Sequence, residues 1–264
     1  MSQIIHINSI QDPRVVHYRN LKDRDLAARG GLFIAEGEHV VKRLLASRYE
    51  TESVLLSEKR ADEFARTVPS HVPTYVAPHE VMEQILGFKF HSGIIAAGKR
   101  GARRTIDEVV PKEQHELLLV ILPDVHSVEN IGSLVRLSAA FGADALILGE
   151  RCHDPLFRQA VRVSMGTVFS LPLVQSDDLR RDILRLKSEW QVEMLGAVLD
   201  ADAEELSRAK RPARMGLLFG NEAQGLARTD IELCDRKVTI PMKLGTDSLN
   251  VAVAAGIFLY HFTK

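Results

Sequence analysis

Three short polar segments break the long apolar runs of this 264-residue chain: Asn130–Gly142 (NIGSLVRLSAAFG), Phe219–Leu226 (FGNEAQGL) and Ile240–Gly256 (IPMKLGTDSLNVAVAAG). Asn130 and Arg136 stand out in the first, Asn221 and Glu222 in the second, Ser248 and Asn250 in the third. Amides, a carboxylate, a hydroxyl and a guanidinium can hold and align a ligand through hydrogen bonds. Each segment reads as a loop that follows a buried strand and enters a helix or tight turn. Ligands of open α/β sheets lie outside the carboxyl ends of the strands, so three such loops imply a binding site.

The elements that must position them follow from periodicity. LLLVIL at 117–122 is continuously apolar, as a strand covered on both faces requires. A helix is expected over about 131–141, closed by Gly142, and ALIL at 145–148 completes a βαβ unit. Further helices are expected over Phe157–Met165 and from the Ser176–Asp178 cap to Trp190. VFSLPLV, MLGAVL, GLLFG and KVTIPM read as strands, and SLNVAVAAGIFLYHF as a closing helix capped by Ser248. Strands alternating with helices imply an α/β fold with a mostly parallel sheet. Before residue 98 a smaller α/β pattern is present: the helical face of Val40, Val41, Leu44 and Leu45, then short strands at SVLLS, PTYVAP and SGIIAAG. We expect a small domain over 1–98, a charged linker over 99–116 and a larger domain over 117–264.

Composition narrows the class. The chain carries 34 Lys+Arg and 35 Asp+Glu, for a net charge of −1, so bulk charge does not announce a nucleic-acid binder. Residues 1–112 hold 17 basic and 14 acidic residues, a balance of +3, whereas 113–264 hold 17 and 21, a balance of −4. The cluster Lys99-Arg100-Gly101-Ala102-Arg103-Arg104 reads either as a solvated linker or as a phosphate-contacting arm. Apolar runs are too short for a membrane span, and the N-terminus lacks a signal-peptide pattern. Two cysteines, Cys152 and Cys234, suit a reducing cytoplasm, and the scattered histidines suggest no metal site. The glycine fingerprints of dinucleotide and P-loop sites are absent, as are G-x-S-x-G and H-E-x-x-H.

The three segments instead resemble motifs 1, 2 and 3 of the SpoU/TrmH group of SPOUT methyltransferases. The matching pieces are N-I-G-x-x-x-R at Asn130–Arg136, F-G-N-E-x-x-G-L at Phe219–Leu226, and I-P-M…S-L-N-V-A-V-A at Ile240–Ala254. SMGTVFSLPL at Ser164–Leu173 resembles a further family segment, and FIAEGEHVVKRLL with HSGIIA resembles the family's small substrate-binding domain. The resemblance implies transfer of the methyl group of S-adenosylmethionine to a ribose 2′-hydroxyl of RNA. Ribosomal RNA is favoured over transfer RNA, with a non-catalytic RNA-binding dimer as the alternative of another class. It also implies a C-terminal trefoil knot on Rossmann-like layers, a small N-terminal α/β RNA-binding domain, and a homodimer whose active site draws on both subunits.

Within that resemblance, Arg136, Asn130, Glu222, Ser248 and Asn250 are the expected catalytic group. Gly220, Asn221, Ile240, Met242 and Leu249 are expected at the cofactor, and no metal is implied. Each also has a plainer reading. Asn130 could simply cap its helix, Glu222 cap a turn, and Ser248 cap the closing helix. Gly220 and Gly225 could serve as turn glycines. On a helix starting near Ile131, Arg136 stands among Leu134, Val135, Leu137 and Ala139, a costly setting unless it is paired or faces a ligand. The resemblance assigns it to RNA phosphate and ribose and offers it as proton acceptor, yet a guanidinium is a poor base. Two departures from the family pattern are HSVEN at His126–Asn130, where many members carry a proline-containing turn, and Ala223, where Gly is common.

Overall fold

The computed structural model describes residues 4–19, 21, 23–244 and 248–264. The chain divides into two compact units. The first comprises residues 1–102 with 156–170, the second residues 103–155 with 171–264.

The first unit is built on a five-stranded sheet, β1 (Ile4–His6), β2 (Leu32–Glu36), β3 (Thr51–Ser57), β4 (Thr74–Ala77) and β5 (Ile94–Lys99), in the order β1-β4-β3-β5-β2. β1, β4 and β3 run parallel, while β5 runs antiparallel to β3 and β2. Among the described residues, four α-helices precede β5: α1 (Asp23–Gly30), α2 (Glu38–Leu45), α3 (Glu58–Phe64) and α4 (His79–Leu86). α2 buries Val40, Val41 and Leu44 of the face that the sequence pattern marks, while Leu45 is only partly buried. Tyr18 is buried, and its hydroxyl donates to the Ser53 carbonyl at 2.9 Å, which offsets the cost of burying it.

The second unit opens with α5 (Ile106–Val109), where Glu108 Oε2 accepts from the Thr105 amide at 2.8 Å, and buries Ile106 and Val110 in the core. β6 (Leu117–Leu122), α6 (Val128–Ala140) and β7 (Ala145–Leu148) follow. The chain then leaves for the first unit as α7 (Arg158–Val163) and a 3-10 turn at Thr167–Phe169. It returns through β8 (Leu173–Gln175), α8 (Leu179–Glu189), β9 (Glu193–Ala197), β10 (Glu204–Glu205), β11 (Arg214–Leu218), α9 (Arg228–Ile231), β12 (Arg236–Thr239) and α10 (Val251–Thr263). VFSLPLV is therefore not a continuous strand. Its first half is the 3-10 turn, and Pro172, which has no amide hydrogen to give a ladder, precedes a short β8.

The large sheet has the order β10-β12-β9-β11-β6-β7-β8, with every pair parallel. All six residues of β6 are buried, as expected of a central parallel strand. Leu117, Leu119 and Ile121 join the core under α5 and α8, while α6 packs against α10. From β6 the chain moves outward to β7 and β8. From β11 the sheet continues the other way, to β9 and β12. The order thus switches direction between β6 and β11, and ligands of such sheets bind at the carboxyl ends of strands at that point.

Candidate active site

The loops leaving Leu122 of β6 and Leu218 of β11 meet at this switch point. In the first, Ser127 caps α6: its Oγ accepts from the Asn130 amide at 3.2 Å. Asn130 is therefore not the cap but lies inside the first turn of α6, which leaves its side chain free for another partner. That partner is Glu222, whose Oε1 accepts from Asn130 Nδ2 at 2.9 Å and from the Ser127 amide at 3.0 Å.

Glu222 sits in a tight turn closed by paired bonds between Asn221 and Gly225, at 2.8 and 2.9 Å. Asn221 Oδ1 accepts from the Ala223 amide at 2.9 Å, a local turn that Asx residues favour. Its Nδ2 donates to the Asp124 carbonyl at 3.3 Å, tying the second loop to the first. Gly225 has φ +69°, the left-handed region that glycine adopts without strain. Gly220 is required for a different reason: a Cβ there would overlap the Gly225 carbonyl carbon and the Leu226 nitrogen.

The third segment enters through Asn250. Its Oδ1 accepts from the Ala252 and Val253 amides at 2.9 and 3.3 Å, so Asn250, not Ser248, caps α10. With its oxygen so engaged, Nδ2 donates to Asn130 Oδ1 at 3.0 Å. The chain of bonds has one consistent direction: Asn250 donates to Asn130, and Asn130 donates to a carboxylate that can only accept. Burial raises the Glu222 carboxyl pKa, but bonds from Asn130 and the Ser127 and His126 amides outweigh it, and the net shift is downward. Glu222 is thus held as the anion.

Beside this network lies a cavity of about 820 Å³. Gly220, Asn221, Glu222 and Ser248 supply its polar side. Ile240, Met242 and Leu249 line it with Phe219, Leu226 and Phe258. All five residues expected at the cofactor share this one cavity, as do Glu222 and Ser248; Asn130 and Asn250 reach its edge through Glu222. The volume falls in the range of about 300–1,000 Å³ of small-molecule sites. An apolar slot flanked by an anionic carboxylate suits a purine with an attached cationic sulfur, so the residues present fit S-adenosylmethionine.

Arg136 is not brought to this network. It is exposed on α6 and makes no hydrogen bond or ion pair with a described residue. The apolar neighbours in its sequence face the core, and Arg136 occupies the wet side of the same helix. Sequence reasoning also passed over Asp124, Ser127 and His126, which line the β6–α6 loop; the polar HSVEN stretch was the available signal.

The sequence pattern of the SpoU rRNA Methylase family matches residues 117–260, and that of the MRM3-like substrate binding domain matches residues 12–96. An uncharacterised tRNA/rRNA methyltransferase of Mycobacterium bovis is 35% identical over 96% of this chain and 89% of its own length. The 23S rRNA (guanosine-2′-O-)-methyltransferase RlmB of Salmonella typhimurium is 30% identical over 86% of this chain and 96% of its own. The crystal structure of the SpoU methyltransferase AviRb from Streptomyces viridochromogenes, in complex with AdoMet, superposes with a TM-score of 0.80 at 27% identity, covering 95% of this chain and 97% of that one. With this match across the large unit and along nearly the whole chain, the protein belongs to the SpoU rRNA methylase family.

Proposed function

We propose that this protein methylates a ribose 2′-hydroxyl of ribosomal RNA, using S-adenosylmethionine held in the cavity beside Glu222. The observation that carries the reading is the Asn250–Asn130–Glu222 network at the cavity's edge, built from all three motif segments. The bound cofactor supplies a methyl group already activated on a sulfonium. The protein's part is alignment. Gly220, Asn221, Ile240, Met242 and Leu249 hold the donor, while Asn130 and Asn250, locked by Glu222, present fixed amides to the ribose. Holding oxygen and methyl carbon about 3–3.5 Å apart and in line can supply about 7–11 kcal/mol of the barrier.

The first unit is the RNA-binding module of this reading, supported by its match to a substrate binding domain. A homodimer completes it. α10 is apolar on both sides: it buries Ala255, Phe258 and Leu259, yet leaves Val253, Ile257 and Tyr260 exposed along one stripe. Such a stripe marks an interface, and α6, which carries Arg136, packs against the same helix. Arg136 then serves RNA phosphate at the dimer seam. Ile257→Asp should give monomers in sedimentation velocity; an unchanged species would remove the dimer. The trefoil knot belongs to the same reading, and stretching the chain from both ends should leave it short of its full contour length, whereas full extension would exclude a knot. The cytoplasm is the expected compartment; no helix among the described residues is long and apolar enough to cross a membrane.

The decisive test maps 2′-O-methylation in cellular RNA with and without the protein. Loss of one methyl mark in ribosomal RNA is expected. A lost mark in transfer RNA alone would move the substrate, and no lost mark would favour a non-catalytic RNA-binding role.

A further inference from the structure

Resting on the methyltransferase reading, we propose that Glu222 is the residue by which the cavity tells the methyl donor from the spent product: it adds affinity for S-adenosylmethionine and none for S-adenosylhomocysteine. Among the described residues, three ionised side chains line the cavity: Asp200, Lys237 and Glu222. Asp200 and Lys237 neutralise each other. Lys237 Nζ lies 2.5 Å from Asp200 Oδ2, and Asp200 Oδ1 accepts from the Asp202 amide at 3.0 Å.

Glu222 has no such partner. The groups that hold its carboxylate are neutral N–H donors: the Ser127 amide at 3.0 Å, Asn130 Nδ2 at 2.9 Å and the His126 amide at 3.4 Å. No cationic side chain of a described residue lies within ion-pair distance of it. Such bonds stabilise the anion without cancelling its charge. The cavity wall therefore carries one uncompensated negative charge among its described residues, and it belongs to Glu222.

Strand order puts that charge at the reacting end of the cavity. β11 lies between β6 and β9, and β12 lies beyond β9. Neighbouring strands are about 4.8 Å apart. Lys237 of β12 and Asp200 of the loop after β9 thus sit on the far side of the β11 turn from Asn130, which Glu222 holds. The methyl group must reach the amides of Asn130 and Asn250, and the sulfonium is one bond away from it. The cationic sulfur therefore faces Glu222 and not the closed ion pair. At neutral pH the donor carries a sulfonium, an ammonium and a carboxylate, a net positive charge that complements the cavity. When the methyl carbon bonds to O2′, the carbon–sulfur electron pair stays on sulfur, and the positive charge leaves as the hydroxyl proton, which ends in solvent. The product has no net charge, and Glu222 has no cationic sulfur left to attract.

The experiment is calorimetric titration of the intact chain with S-adenosylmethionine, S-adenosylhomocysteine and sinefungin, which carries an ammonium in place of the methylated sulfonium. Glu222→Gln keeps an oxygen for Ser127 and Asn130 and removes the charge. It should weaken S-adenosylmethionine and sinefungin about tenfold and leave S-adenosylhomocysteine binding as in the unaltered protein. Glu222→Asp keeps the charge on a shorter arm that loosens the bonds to Asn130 and Ser127. It should retain the change in preference that a merely structural role would lose. In the unaltered protein, raising the salt concentration should weaken the two cationic ligands and not the neutral product, because the exposed Glu222 is open to screening. Equal loss of all three ligands in Glu222→Gln, loss of the preference in Glu222→Asp, or one salt response shared by all three ligands would overturn the assignment. Failure of the unaltered protein to bind any of the three would overturn the methyltransferase reading and this proposal with it.

Discussion

At the scale of single residues, Asn250 has two separable jobs. Its oxygen caps α10 and its nitrogen holds Asn130. Asn250→Ala should cost about 1 kcal/mol in urea unfolding and also slow methyl transfer, since both jobs are lost. Asn250→Asp should keep the cap, because a carboxylate still accepts from the Ala252 and Val253 amides and suits a helix N-terminus. It has no N–H to give Asn130, so transfer should fall at least tenfold with stability intact. Equal effects of the two variants on transfer and stability would merge the roles. Glu222 gives a pH signature. Its folded pKa is lowered, so its contribution is present above the unfolded value of about 4.3 and is lost as pH falls through the folded value. The carboxylate is exposed, which keeps the effect below about 1 kcal/mol. Glu222→Gln should therefore flatten the acid side of the stability curve slightly, and parallel curves for the two proteins would count against an anionic role.

At the scale of elements, the second motif is a turn whose backbone folds onto itself. Gly220→Ala places a Cβ on the Gly225 and Leu226 backbone, which cannot move as a side chain would. The turn must shift, at a cost of about 1–3 kcal/mol, and Asn221 and Glu222 shift with it. Calorimetry should find S-adenosylmethionine binding weakened at least tenfold, while wild-type affinity would mean that the turn tolerates the displacement. The helices behave differently. The positions of α6 and α10 are set by apolar residues spaced at helical intervals, and those were readable. Their first residues were not, because Ser127, Asn130, Ser248 and Asn250 are all good caps by type. The choice among them depends on which oxygen meets a free amide once the loops are in place.

At the scale of the whole molecule, residues 156–170 matter most. They stand in sequence between β7 and β8 of the large sheet, yet they pack in the first unit. The Arg158 amide donates to Asp23 Oδ1 at 2.8 Å, Arg43 Nη1 donates to the Met165 carbonyl at 2.5 Å, and the Phe169 ring lies 5.4 Å from that of Phe33. The chain therefore crosses between units near residues 102, 155 and 170, not once. A fragment beginning at Arg103 would leave Leu156, Val161, Val168 and Phe169 without their partners. It should bind a hydrophobic dye strongly and aggregate, whereas the intact chain should not; a monodisperse, dye-silent fragment would mean that the segment refolds elsewhere.

The sequence by itself determined the α/β class, the parallel sheet, the residue types at the site and the family that uses them. These rest on local signals: the periodicity of apolar runs, the continuous burial of LLLVIL, and short motifs in fixed order. Tertiary structure decided which of those residues meet. Asn130 bonds Glu222 across 92 positions and Asn250 across 120, because β11 inserts beside β6. It also left Arg136 on the wet face of α6, gave the cap of α10 to Asn250 and placed His126 against Asp124. No local pattern encodes these outcomes, since each depends on strand order, and strand order is fixed by packing between segments far apart in the chain.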